Sequence, residues 1–248
     1  MHKPTATHRR FAYIKKPRRK TLAFLNEEII DPSLAARVIR EAKADLVGLN
    51  EVYGSGGKFT EQTEEIALKA GYKYRYFAPA VFWKNSEYGN GFLSRYPITD
   101  VSVIKIPDTT DRSEDTYYET RCILKATVDA GKKVDVLVTH FGLVGAERDE
   151  AVKKVLEIAR QREKNFILMG DFNCEPSSVH IKQLRKILKD TSENDEKLLT
   201  YPSDNANIKI DYIFTNKEAK TVRCGAVLLI RLYPTISRIM PRLYFRNN

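Results

Sequence analysis

Five polar residues lie where apolar stretches end or turn, and together they could handle a phosphate and a water. Glu51 follows the apolar run 46–50, His140 follows 134–139, and Asp171 and Asn173 follow 166–170. Asp211 differs, because it is expected inside a strand, within Lys209-Ile210-Asp211-Tyr212. Polar groups at strand ends, beside loops, are where sites are built. Carboxylates can hold a metal or take a proton from water, while His and Asn side chains can hydrogen-bond an anion. Hard oxygen donors without nearby Cys or His pairs suit Mg²⁺ or Mn²⁺ rather than zinc. Taken singly, each residue also has a plain structural reading. Glu51 could be a solvated loop residue, and Gly170-Asp171-Phe172-Asn173 an Asx-turn.

The elements that must position these residues follow from periodicity. Pro32 after Asp31 starts a helix whose inner face is Leu34, Val38, Ile39 and Ala42. Strands are expected over 46–49, 72–80, 91–95, 101–106, 120–128, 134–139, 166–169 and 208–214. Helices are expected over 61–70, stopped by Gly71, over 146–162, and over 181–188 with His180 exposed at its start. Arg95 is expected to anchor the turn before Pro97. The mixture of hairpin neighbours and crossovers indicates a mostly antiparallel sheet system flanked by helices. No linker divides it, so one domain is expected over 31–232. An atypical basic segment, 1–30, precedes it and an atypical basic tail, 233–248, follows.

The chain has 248 residues and a formal net charge of +10, with 42 Lys and Arg against 32 Asp and Glu. Residues 1–20 hold eight of the bases and residues 221–248 hold five, and neither stretch contains an acid. The body between them therefore carries 29 bases against 32 acids. A slightly acidic body leaves nucleic-acid binding possible but unsupported. No apolar run approaches the roughly 20 residues that span a bilayer. The late run 226–230 fits a buried strand. Cys122, Cys174 and Cys224 show no metal or redox spacing and read as reduced thiols. A cytoplasmic monomer without a membrane partner is expected.

Six segments recur in a telling order: GLNEVYG (48–54), YGNGFLSRYPI (88–98), ETRCILKA (119–126), VLVTHFG (136–142), ILMGDFN (167–173) and KIDYIF (209–214). Over about residues 32–215 the chain resembles the endonuclease/exonuclease/phosphatase superfamily, the deoxyribonuclease-I-like phosphohydrolases, in a small bacterial-type form. The resemblance implies an α/β (α+β) four-layered sandwich of two mixed β-sheets flanked by helices. It implies hydrolysis of a phosphoester by in-line attack of water, with Mg²⁺ or Mn²⁺ as cofactor. By resemblance, Glu51 binds the metal, and Asp171 serves the metal site and orients or deprotonates the water. Asn173 hydrogen-bonds a phosphate oxygen and His140 stabilises the transition state. Asp211 matches the carboxylate that orients a histidine. Asn90 and Arg121 match substrate-binding positions near the rim, with an ion pair to Glu119 as the alternative for Arg121.

Two family motifs are missing. No Thr-x-Asn strand opens the chain, and Asn26 is a poor substitute. Residues 11–25 must then fill the vacant strand position, with Ala12-Tyr13-Ile14 or 21–25 as candidates. The terminal Ser-Asp-His is replaced by Ser237-Arg238-Ile239-Met240-Pro241-Arg242, so Asp211 has no following histidine to orient. Synonymous codons exist for which a shifted reading frame across these residues encodes Ser-Asp-His-Ala-Pro, so the gene sequence is a direct check. Three readings follow: a phosphodiesterase or phosphatase, a DNA-repair or non-specific endonuclease, or a catalytically impaired pseudoenzyme.

Overall fold

The computed structural model describes residues 9–15, 32–57, 59–110, 112, 117–161, 165–193, 195, 198–202, 206–219, 221–226 and 241–245. Among them the chain runs β1 (Arg9–Lys15), α1 (Pro32–Ala42), β2 (Leu46–Tyr53), α2 (Gln62–Ala70), β3 (Tyr74–Trp83), β4 (Ser86–Ser94), β5 (Ile98–Lys105) and β6 (Cys122–Asp129). It continues through β7 (Lys133–His140), α3 (Gly145–Arg160), β8 (Asn165–Asp171), α4 (Val179–Ile187), β9 (Leu188–Asp190), β10 (Asp211–Asn216), β11 (Thr221–Ala226) and β12 (Pro241–Phe245).

Two six-stranded sheets result, ordered β11-β12-β1-β2-β4-β3 and β5-β6-β7-β8-β10-β9. The β1–β2 and β7–β8 pairs are parallel and the others antiparallel. Strand alternation sorts the side chains to two faces. Ile167 and Met169 of β8 join Leu46, Phe92, Val136 and Val138 between the sheets. Phe166 and Leu168 point the other way, under α3 and α4 with Val155 and Leu184. Val47 and Leu49 of β2 pack outward with Val38, Ile39 and Ile66 of α1 and α2. The layers are therefore helices, sheet, sheet, helices, the expected sandwich.

Local chemistry fixes the helix ends. The Glu61 carboxylate accepts the Thr63 N–H at 2.7 Å, and Gly71 ends α2 at φ 78°. Arg95 donates through Nε to the Ala44 carbonyl at 3.0 Å and lies over the Tyr72 ring, which anchors the turn before Pro97.

Several expectations need adjustment. The strand expected over 208–214 starts at Asp211, so Asp211 opens β10 and does not lie inside it. The position beside β2 is filled by β1, which contains Ala12-Tyr13-Ile14; the alternative at 21–25 lies outside the described residues. Of the run 226–230, Ala226 ends β11 and the rest lies outside them. Asn26, Asp31 and 237–240 also lie outside them. His180 is buried, because its Nε2 meets Asp149 Oδ1 at 3.0 Å and links α4 to α3. Among the described residues, no helix is long and apolar enough to cross a membrane.

Candidate active site

Strand register assembles the site. His140 pairs with Asp171 across β7 and β8, and Asp171 pairs with Asp211 across β8 and β10. Three residues from distant parts of the sequence thus form one row at a sheet end, all buried. Gly170 makes the row possible, since a Cβ there would lie 1.9 Å from the Thr139 carbonyl oxygen. The Thr200 hydroxyl accepts the Asp211 N–H at 3.1 Å and fixes the start of β10.

The opposite sheet reaches across to this row. Asn50 Oδ1 accepts the Asp171 N–H at 3.0 Å, and Asn50 Nδ2 donates to Asn90 Oδ1 at 2.5 Å. Asn90 Nδ2 then donates to the Cys122 carbonyl at 3.0 Å. Two amides therefore tie β2 and β4 to β8 and β6. Asn90 was expected near the rim, but it is 2% exposed and its amide is engaged in this tie. Beside Asn50 the β2–β4 register shifts and Glu51 takes a φ of 61°. Such a backbone costs a non-glycine residue about 1–3 kcal/mol and tends to occur where a side chain must be re-aimed. Glu51 therefore sits on a bulge within β2, not after a strand. Tyr88 marks where Glu51 lies. Burial pushes the Tyr88 phenol upward, and the Glu51 and Glu119 carboxylates beside it push the same way.

Hydrogen bonds assign the His140 tautomer. Arg121 Nη1 lies 2.7 Å from His140 Nδ1, and a guanidinium can only donate. Nδ1 must therefore accept, which puts the ring proton on Nε2. Nε2 faces Asp171 Oδ2 at 3.6 Å and Asn173 Nδ2 at 3.2 Å. The Asn173 amide already donates to the Phe141 carbonyl at 2.7 Å, which fixes which end carries nitrogen. Two N–H donors, His140 Nε2 and Asn173 Nδ2, are thus side by side next to the Asp171 carboxylate. The Asn173 backbone N–H donates to Asp171 Oδ1 at 2.8 Å, the Asx-turn anticipated for this segment.

Arg121 is 6% exposed and pairs with Glu119 Oε1 at 2.6 Å, as the alternative reading expected. Glu147, in the first turn of α3, accepts the Glu119 N–H at 3.2 Å and the Leu143 N–H at 3.1 Å. One carboxylate therefore holds the segment before Arg121 against the loop after His140. The sequence reading missed Asn50, Glu147 and Thr200 as site residues, and named Glu119 only as the alternative partner of Arg121. For Asn50 the only local signal was its place before Glu51.

A sequence model of the Endonuclease/Exonuclease/phosphatase family matches residues 30–237. The chain belongs to this family. Its fold is shared with an endonuclease/exonuclease/phosphatase from Beutenbergia cavernae, 21% identical, with a TM-score of 0.74 over 96% of this chain and 71% of that one. A family protein from Bacteroides vulgatus is 17% identical at a TM-score of 0.74, over 97% of this chain and 100% of that one. A mannosyl-6-phosphatase from Bacteroides thetaiotaomicron is 16% identical at 0.69, over 95% and 98%. No curated protein matches the chain in sequence.

Members of the endonuclease/exonuclease/phosphatase family are typically dependent on a divalent metal. Among the described residues of this member, no group of three or more His, Cys, Asp and Glu could cage an ion. Such a cage is not what Mg²⁺ requires, and a buried carboxylate such as Glu51 is of the type it takes. Mg²⁺ keeps most of its waters and takes one or two carboxylates plus substrate phosphate.

Proposed function

We propose that the chain hydrolyses a phosphoester, as a phosphodiesterase or phosphatase, by in-line attack of a water. The observation that carries this reading is the pair of N–H donors, His140 Nε2 and Asn173 Nδ2, 3.2 Å apart beside the Asp171 carboxylate. Donors placed side by side suit the oxygens of a phosphate, where negative charge grows in the transition state. Asp171 lies within reach of the same space and can take the proton from an attacking water. Arg121 keeps His140 in the Nε2–H form, and Asn50 keeps Asp171 in place. Mg²⁺ or Mn²⁺ held by Glu51, with Asp171 on the same rim, would polarise a phosphate oxygen and screen its charge. The family includes phosphatases and phosphodiesterases, which agrees with this chemistry.

The test is Mg²⁺ against EDTA on p-nitrophenyl phosphate and bis(p-nitrophenyl) phosphate. Metal-dependent turnover that disappears in Asp171→Ala is the expected result. No turnover of either ester with intact folding overturns it.

One observation favours a second reading. No histidine follows Asp211, so the carboxylate has no later histidine to orient. Loss of such a transition-state donor costs roughly a factor of 10²–10³. In a pseudoenzyme, Mg²⁺ would bind without turnover. Gene sequencing across residues 220–248 separates a natural loss from a shifted frame, which would encode Ser-Asp-His.

A further inference from the structure

The hairpin of β3 and β4 carries an aromatic corner beside the site. Val81 pairs with Tyr88 and Trp83 with Ser86, so Val81, Trp83 and Tyr88 share one sheet face. Tyr88 stands on that face close to Glu51, Glu119 and Arg121, which identifies it as the face that carries the site. Trp83 is 41% exposed and Tyr117 is 47% exposed. Their rings meet edge to face, with centroids 6.2 Å apart and planes at 84°.

The corner is wired to the histidine. Tyr117 Oη donates to Glu119 Oε2 at 2.9 Å, Glu119 Oε1 meets Arg121 Nη1 at 2.6 Å, and Arg121 Nη1 meets His140 Nδ1 at 2.7 Å. Two rings at right angles form a wall and a floor. A flat ring placed there stacks on one and presents its edge to the other, the two favoured aromatic arrangements. A sugar or alkyl group packs on one ring face but has no aromatic face and edge of its own to match both rings.

We infer that Trp83 and Tyr117 form a stacking subsite for a planar aromatic ring that the phosphoester substrate carries. The phosphate end of this inference rests on the hydrolase reading of the same site; the ring end does not.

Trp83 is the sole tryptophan in the chain, so its emission reports the corner without any turnover. Adenosine 5′-monophosphate is expected to quench it saturably. Ribose 5-phosphate, which has no aromatic ring, is expected not to. Tyr117→Ala should weaken adenosine 5′-monophosphate by about tenfold, in line with the loss of one stacking ring. Tyr117→Phe keeps the ring and should restore binding, which separates stacking from the hydrogen bond to Glu119. Equal quenching by ribose 5-phosphate, or wild-type affinity in Tyr117→Ala, overturns the subsite. Quenching without phosphoester turnover overturns the hydrolase reading and keeps the subsite. Turnover without saturable quenching does the reverse.

Discussion

Asn50 Oδ1 accepts the Asp171 backbone N–H at 3.0 Å from the facing sheet. The carboxylate proposed as base is therefore set by a residue on the other side of the core. Asn50→Ala leaves the buried Asp171 N–H and Asn90 Oδ1 without these partners, at a cost of about 3 kcal/mol. That corresponds to a Tm lower by roughly 6–12 °C. In turnover, kcat should fall more than KM rises, because substrate contacts remain. An unchanged Tm in calorimetry would show that the tie carries no load.

Arg121 is held by geometry as much as by charge. Its Nη1 serves both Glu119 and His140. Arg121→Lys keeps the charge, but a single ammonium on a flexible stem does not reproduce the planar donor. A roughly 10- to 100-fold loss of kcat is expected from the weakened charge-assisted bond. The ¹⁵N shifts of the His140 ring should show mixed tautomers in place of Nε2–H alone. A kcat within twofold of wild type would remove Arg121 from the positioning role.

Acid should act through Asp190. Burial alone would push its carboxyl up, but Lys209 at 3.2 Å and Arg185 at 2.7 Å hold it below the ordinary carboxylate range. A folded value below the unfolded one, about 3.9, means that this stabilisation is complete above that pH. It disappears as pH falls through the lower folded value. Asp190→Asn should therefore lose less Tm than wild type on going from about pH 5 to pH 2. At pH 7 it should be less stable by about 3–5 kcal/mol, since Lys209 remains buried without its counter-charge. Parallel Tm-versus-pH curves for the two proteins would contradict this.

Cys122 should resist alkylation although it lies near the site. Burial pushes its thiol up to about 12, against smaller opposing effects of Asn90 and Arg121. At pH 8 almost none is thiolate, the reactive form. Site-resolved mass spectrometry after iodoacetamide should find Cys122 unmodified in the folded protein and modified in denaturant. Labelling of the folded protein at the rate of a free thiol would show that the core opens there.

Much of the fold was legible because alternation and turn residues are local signals. The runs 134–139 and 166–169 matched β7 and β8, and the two residues at their ends, His140 and Asp171, are brought together by register. The role of Asn50 was not legible, because its partner lies 121 residues away and the contact is cross-sheet. His180 failed for the same reason: an exposed-looking helix start is covered by Asp149 on another helix. The strand β1 carries no usable periodicity, so only the need for a backbone partner beside β2 pointed to it. Asp211 was placed inside a strand because Ile208 and Ile210 continue the apolar pattern, yet ladder pairing begins only at Asp211.

Gly48 and Met169 sit two residues before Asn50 and Asp171, on the same inward faces. A Cβ on Gly48 would come within 2.8 Å of the Met169 sulfur, so the sheets approach closely at this point. The pair thus sets the spacing of the sheets next to the point where Asn50 bonds Asp171. Bulk added at Gly48 would push the sheets apart there and stretch the bond from Asp171 to Asn50, two residues along each strand.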